Sequence, residues 1–181
     1  FVGMISGRIP PTHGSISFKG RDITRRKAWD RVMDGIVYTF QITSVFPNLS
    51  CYENIALAAQ RRLLTGIAGR LTLGEETIAE RVIEALDRVG LTAAREQEAG
   101  NLPYGHQRLL EIAMGLALEP ELLILDEPTQ GLSIEEIGGF CDLIRDISAQ
   151  ATILLIEHNM SVVLELAQRI TVMDKGAIIA E

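Results

Sequence analysis

Hydrophobic and polar positions along the chain fall into two rhythms. Continuous apolar runs bounded by turn residues occupy 35–40, 122–125, 153–156 and 170–173. Elsewhere apolar residues recur every three or four positions. Ile55, Ala58 and Ala59 do so in 51–62, and Ile78, Val82, Leu86 and Val89 do so ahead of Gly90. Leu109, Leu110, Ala113 and Leu116 repeat the spacing after His106, as do Ile134, Ile137, Cys141 and Ile144 further on. The first pattern belongs to strands buried on both faces, the second to helices with one apolar stripe. Such strands separated by helices predict an α/β fold, a mostly parallel sheet with helices on both faces. Consecutive helical segments interrupt the alternation, so an inserted helical subdomain is expected at 50–118. Residues 1–49 and 119–181 then form the α/β core of a single domain.

Shorter signals fill in the remainder. Phe1 and Ile5 share one helical face and Gly7 stops the segment before Pro10 and Pro11, so 1–7 reads as the last turns of a helix. The alternation in 14–20, between two glycines, predicts a short half-exposed strand. Residues 25–32 carry Ala28, Trp29 and Val32 at helical spacing with a basic outer face. Trp29 and the run Arg25-Arg26-Lys27 read as a solvated helix face. Three glycines in 65–74 predict a surface loop, and 174–181 predicts a hairpin that ends just after its second strand. A helix already under way at residue 1 and a hairpin cut close at its end make the sequence read as a fragment.

Composition narrows the function. The 181 residues carry a net charge of −7, which argues against a generally basic nucleic-acid-binding surface. No apolar run reaches the roughly 18–20 residues of a membrane-spanning helix. The start has neither the basic region nor the apolar stretch of a signal peptide. Cys51 and Cys141 lie far apart without CxxC or Cys/His spacing, so reduced thiols at a core edge are expected rather than a disulfide or zinc site.

The strongest chemical signal is Leu122-Leu-Ile-Leu-Asp126-Glu127-Pro128, a buried strand that delivers two adjacent carboxylates at its C-terminal end. Open α/β sheets place their ligands there. Such an Asp can hold hydrated Mg²⁺ and the following Glu can polarise a water for attack on a phosphate. A plain strand end with a helix cap would account for the pair equally well. Three further groups converge with it. Leu102-Pro-Tyr-Gly105-His-Gln107 is a glycine-containing turn opening a helix, a ready anion site. His158 stands just past the next buried strand, and Gln41 ends an earlier one. Singly, His158 reads as a solvated loop residue and Gln41 as a strand terminator.

Gln41, then 102–107, then Leu-Ile-Leu-Asp-Glu-Pro, then Gln130-Gly-Leu-Ser133, then His158 follow one another in an order that resembles the nucleotide-binding domain of ABC transporters, over essentially all 181 residues. Thr39-Phe-Gln-Ile42, Phe46-Pro-Asn-Leu-Ser50, Glu53-Asn54, Glu111-Ile-Ala113 and Ile156-Glu-His-Asn-Met160 resemble more narrowly the ATP-binding subunits of branched-chain (hydrophobic) amino acid importers. Urea or amide importers are the nearest relatives of that group. The resemblance implies a P-loop NTPase-like fold, ATP and Mg²⁺ as cofactors, and ATP hydrolysis coupled to solute uptake. It implies a peripheral place on the cytoplasmic face of the membrane. The implied partners are a second ATP-binding subunit, permease subunits and indirectly a solute-binding protein, with no nucleic acid.

The resemblance also assigns roles. Asp126 organises Mg²⁺, Glu127 is the general base for the attacking water, and His158 contacts the γ-phosphate. Gln41 reaches Mg²⁺ and senses ATP. Leu102, Pro103, Tyr104, Gly105, His106 and Gln107 form the signature loop that caps the ATP of the opposite subunit. Residues 130–133 link the two sites, and 41–60 form the face on which a permease helix docks.

Three departures from the family pattern stand out. Pro103 occupies the usual serine position and offers neither hydroxyl nor N–H, and His106 replaces the commoner glutamine. No G-x-x-x-x-G-K-[ST] occurs, and no Lys precedes Lys19. The family places that phosphate loop just before the helix ending at Gly7, and a further strand between 153–156 and 170–173. Competing readings are a non-transport ABC-type ATPase and a non-hydrolytic regulatory domain. Retention of Glu127 and His158, needed only for hydrolysis, favours a truncated ATPase over the latter.

Overall fold

The computed structural model describes residues 1–39, 44–63 and 75–181. It opens with one helical turn, α1 (Val2–Ile5), ended by Gly7 at φ +81°. A hairpin follows, β1 (Ser17–Phe18) and β2 (Arg21–Asp22), and Lys19 and Gly20 turn it with both φ values positive, as a type I′ turn requires. Next come α2 (Ala28–Met33), β3 (Ile36–Thr39), α3 (Cys51–Leu63) and α4 (Glu75–Arg88). Two 3₁₀ turns lead into α5 (Tyr104–Leu116), then β4 (Leu122–Asp126), α6 (Ile134–Ser148), β5 (Thr152–Ile156) and α7 (Met160–Leu166). A second hairpin, β6 (Val172–Asp174) and β7 (Ala177–Ala180), ends the chain's described structure.

The sheet has β4 at its centre, flanked in parallel by β3 and β5. Successive side chains of a strand point to opposite faces, and the sequence uses both. Val37, Leu123 and Leu125 join one core with Leu110, Ile112, Ala113, Phe140, Ile144 and Ile147 from the helices. Ile36 and Ile124 turn the other way, onto Ile23, with Val2, Ile5, Ile16 and Phe18 packed around them. The helices α3, α4 and α5 pack on one another, and α5 also packs on β3. The segment read as a helical insertion therefore shares its core with the sheet.

Four expectations need correction. The strand foreseen across 14–20 shrinks to Ser17–Phe18, because the turn begins at Lys19. The basic outer face of 25–32 is interrupted by Arg31, which is 1% exposed. Its guanidinium donates to the carbonyls of Met4 and Ile5 at 2.6 and 2.8 Å and to those of Thr24 and Arg26 at 3.0 Å, tying α1 to α2 and the segment between them. Trp29 stays exposed, as expected, with the Lys27 ammonium 4.8 Å from its ring centre. The signature turn is already helix from Tyr104 onward. Finally, 170–173 does not join the parallel sheet. Lys175 and Gly176, both at positive φ, fold β6 back onto β7, and both strands are solvent-exposed. The glycine-rich run 65–74 lies outside the described residues.

Candidate active site

The central strand ends where its chemistry begins. Asp126 is the last residue of β4, and its Oδ2 accepts a 2.6 Å hydrogen bond from the Tyr38 hydroxyl on β3. Burial, then the hydrogen bond to Asp126 and its charge, push the Tyr38 phenol up to about 12, with Arg8 pulling the other way. Tyr38 thus stays a donor, and one carboxylate oxygen of Asp126 is fixed against the sheet. Glu127 departs from the strand at φ +46°, a left-handed conformation costing on the order of 1–3 kcal/mol for a residue with a Cβ. Its N–H still reaches the Ile156 carbonyl at 2.9 Å, extending the β4–β5 pairing by one rung.

The strained turn is braced from α5. Arg108 is 2% exposed and donates to the carbonyl oxygens of Asp126 at 2.8 Å and Glu127 at 3.3 Å. Its other terminal nitrogen pairs with buried Glu111 at 2.7 Å. A buried charge is tolerated only when paired and hydrogen-bonded, and here those bonds fall on the backbone of the two strand-end carboxylates.

On the neighbouring strand, His158 follows β5 by two residues, and its Nδ1 stands 3.8 Å from Glu127 Oε1. The imidazole is 74% exposed, so its place depends on the backbone beneath it. Glu157 holds that backbone. Its Oε2 accepts from the amides of His158 and Asn159 at 3.1 and 3.2 Å, and its Oε1 accepts from the Thr129 amide at 3.0 Å and from the Thr129 hydroxyl. Burial raises the Glu157 carboxyl, but these donors outweigh it and leave the group below its usual pKa. Asn159 in turn caps α7 by accepting from the Ser161 amide.

The 102–107 turn packs against the loop after β4. Leu102 is buried, Pro103 stands at the N-cap of α5 without a side-chain cap, and Gln107 Nε2 donates back to the Leu102 carbonyl at 3.0 Å. Gly105 is buried against Leu132 and Glu136, while Tyr104 and His106 are exposed. Gly131, at φ +81°, lies so close to the Tyr104 ring that a Cβ there would stand 2.9 Å from Cε1. Ser133 and Glu136 form a reciprocal capping box at the start of α6, and the Ser133 donors hold the Glu136 carboxyl below its usual pKa.

Of the residues singled out in the sequence, Asp126, Glu127 and His158 come together at the ends of β4 and β5. Residues 102–107 and 130–133 meet each other beside them. Gln41 lies outside the described residues. Tyr38, Arg108, Thr129 and Glu157 were not foreseen. The signal for Arg108 was present: it shares a helical face with Gly105, Ile112 and Gly115, all buried. No group of three or more metal-binding side chains occurs among the described residues.

A parallel sheet packed against helices, with adjacent carboxylates at the end of its central strand, has the layout of the α/β nucleotide-binding class. The chain belongs to the ABC transporter family: the model of that description matches residues 1–130. It is 33% identical to the high-affinity branched-chain amino acid transport ATP-binding protein LivG of Salmonella typhimurium, an alignment spanning 97% of this chain and 72% of LivG. BraF of Pseudomonas aeruginosa, of the same description, is 33% identical over 98% of this chain and 72% of its own length. Among solved structures, the ATP-binding cassette MJ1267 of an ABC transporter superposes with a TM-score of 0.85 at 26% identity, covering 99% of this chain and 73% of that one. No described helix is long and apolar enough to cross a membrane.

Proposed function

We propose that this chain works as the ATP-hydrolysing subunit of an importer for branched-chain or other hydrophobic amino acids, with Glu127 and His158 as its catalytic pair. The observation that carries the reading is the 3.8 Å approach of Glu127 Oε1 and His158 Nδ1 at the C-terminal ends of adjacent parallel strands. Glu127 accepts the proton of the attacking water, and His158 contacts the terminal phosphate. General-base roles of this kind contribute roughly 10²–10⁴-fold in rate.

Asp126 fits a Mg²⁺ ion, which is held through one or two carboxylates, waters and the substrate's phosphates rather than by a full protein cage. With Oδ2 engaged by Tyr38, Asp126 offers a hard oxygen donor at the strand end. Mg²⁺ supplies charge neutralisation of the phosphates when bound, and Gln41 is the second residue assigned to it. Leu102, Pro103, Tyr104, Gly105, His106 and Gln107 cap a nucleotide held by a second ATP-binding subunit. The segment 41–60 meets permease subunits at the cytoplasmic face of the membrane.

The solute assignment is supported by the descriptions of LivG and BraF, both branched-chain amino acid transport proteins. The test is uptake of radiolabelled leucine into proteoliposomes containing the intact subunit and its permease partners. ATP-dependent leucine uptake is the expected result. Uptake of urea with none of leucine overturns the solute assignment.

A further inference from the structure

We propose that Glu157 is a positioning residue that fastens the His158 loop to the loop after β4 and thereby sets the Glu127–His158 spacing. The proposal rests on the reading that Glu127 and His158 act on the nucleotide. Glu157 precedes His158 directly, and Thr129 lies two residues beyond Glu127. Four donors converge on the one carboxylate: the amide and hydroxyl of Thr129 on Oε1, and the amides of His158 and Asn159 on Oε2. A second tie, Glu127 N–H to the Ile156 carbonyl at 2.9 Å, joins the same two loops where they leave their strands. The two ties together join the loop after β4 to the loop after β5, so the loops cannot part without breaking them.

The chemistry demands a carboxylate. Both oxygens accept two hydrogen bonds, so a glutamine of the same shape must turn its NH₂ either toward the two Thr129 donors or toward the two main-chain amides. In either orientation at least one main-chain N–H then faces a donor, the Thr129 hydroxyl alone being able to turn and accept, and the tie between the loops is weakened. The exposed His158 ring has no deep packing of its own to hold it, and Glu127 sits in a conformation that is not self-sustaining. Loss of the tie therefore misplaces the pair while leaving the nucleotide-facing side chains chemically intact.

The test compares Glu157→Gln, Thr129→Val, Thr129→Ser and the double variant Glu157→Gln/Thr129→Val in the intact protein, with Glu127→Gln alongside. A misplacement of about 1 Å costs on the order of 10²-fold, so kcat for ATP hydrolysis should fall roughly 10–100-fold in Glu157→Gln. KM for ATP should stay within about two-fold of wild type, a split that general loss of structure would not give. Thr129→Val should lower kcat in the same direction, and Thr129→Ser, which keeps the hydroxyl, should recover most of that loss. The double variant should be no worse than Glu157→Gln, because both changes break one link. An unchanged kcat in Glu157→Gln, or additive losses in the double variant, overturns the proposal. If Glu157→Gln does not fold, Thr129→Val decides alone, and wild-type kcat there overturns it. Full turnover in Glu127→Gln instead brings down the catalytic reading, and the proposal with it.

Discussion

Arg108 donates a 2.8 Å hydrogen bond to the main-chain carbonyl of Asp126. The bond joins the helix opened by the 102–107 turn to the end of the strand that carries Asp126 and leads into Glu127. Removing the guanidinium deletes the 2.7 Å ion pair to buried Glu111 and the bonds donated to two strand-end carbonyls. Breaking one side of a buried pair costs about 3–5 kcal/mol. Arg108→Met should therefore lower the melting temperature by roughly 6–20 °C, as read by calorimetry. A shift below about 2 °C would contradict the bracing role.

Tyr38 gives a pH signature. Its phenol is raised from 10.0 to about 12, first by burial and then by Asp126. A raised folded-state pKa contributes stability that is fully present below the unfolded value and is lost as pH rises through the folded one. Between pH 10 and 12 the wild-type protein should lose on the order of 2 kcal/mol relative to Tyr38→Phe, which has no phenol to titrate. Urea melts of the two proteins across that window check it, and parallel curves would contradict the assignment.

Two glycines should respond oppositely to alanine. Gly131 is held at φ +81° under the Tyr104 ring, and a Cβ there meets both strain and a 2.9 Å contact. Gly131→Ala should destabilise by roughly 1–3 kcal/mol. Gly138, inside α6, has nothing within 4 Å of its would-be Cβ. Gly138→Ala should stabilise by roughly 0.5–1 kcal/mol, because alanine loses less backbone freedom in a helix. Denaturant midpoints of the two variants moving in the same direction would refute this.

The 102–107 turn and the 130–133 loop lie side by side on one surface, as they would if they jointly closed over a nucleotide held by a second subunit. In the intact protein, ATP should therefore convert the Glu127→Gln variant from monomer to dimer in sedimentation velocity. A monomer at saturating ATP would count against that geometry.

The parts of the fold legible in the sequence were those set by local periodicity. The run Leu122-Leu-Ile-Leu packs on both faces of the sheet, and a strand sandwiched between two cores must read as continuously apolar. The same apolar signal misled at 170–173, because an apolar run does not name its partner; the turn at Lys175 and Gly176 does. The basic outer face expected of 25–32 does not extend to Arg31, which lies three residues beyond Ala28 and is buried. Asp126, Glu127 and His158 were legible because strand ends are where such sheets work. The Glu157–Thr129 tie was not, since 28 residues separate its partners and neither carries a local pattern.

The assignment of Glu127 as the general base meets its most direct test in steady-state ATP hydrolysis by the intact protein carrying Glu127→Gln, with nucleotide binding measured in the same preparation. The account predicts wild-type ATP affinity and a turnover reduced by roughly 10²–10⁴-fold. Turnover within a few-fold of wild type would contradict it.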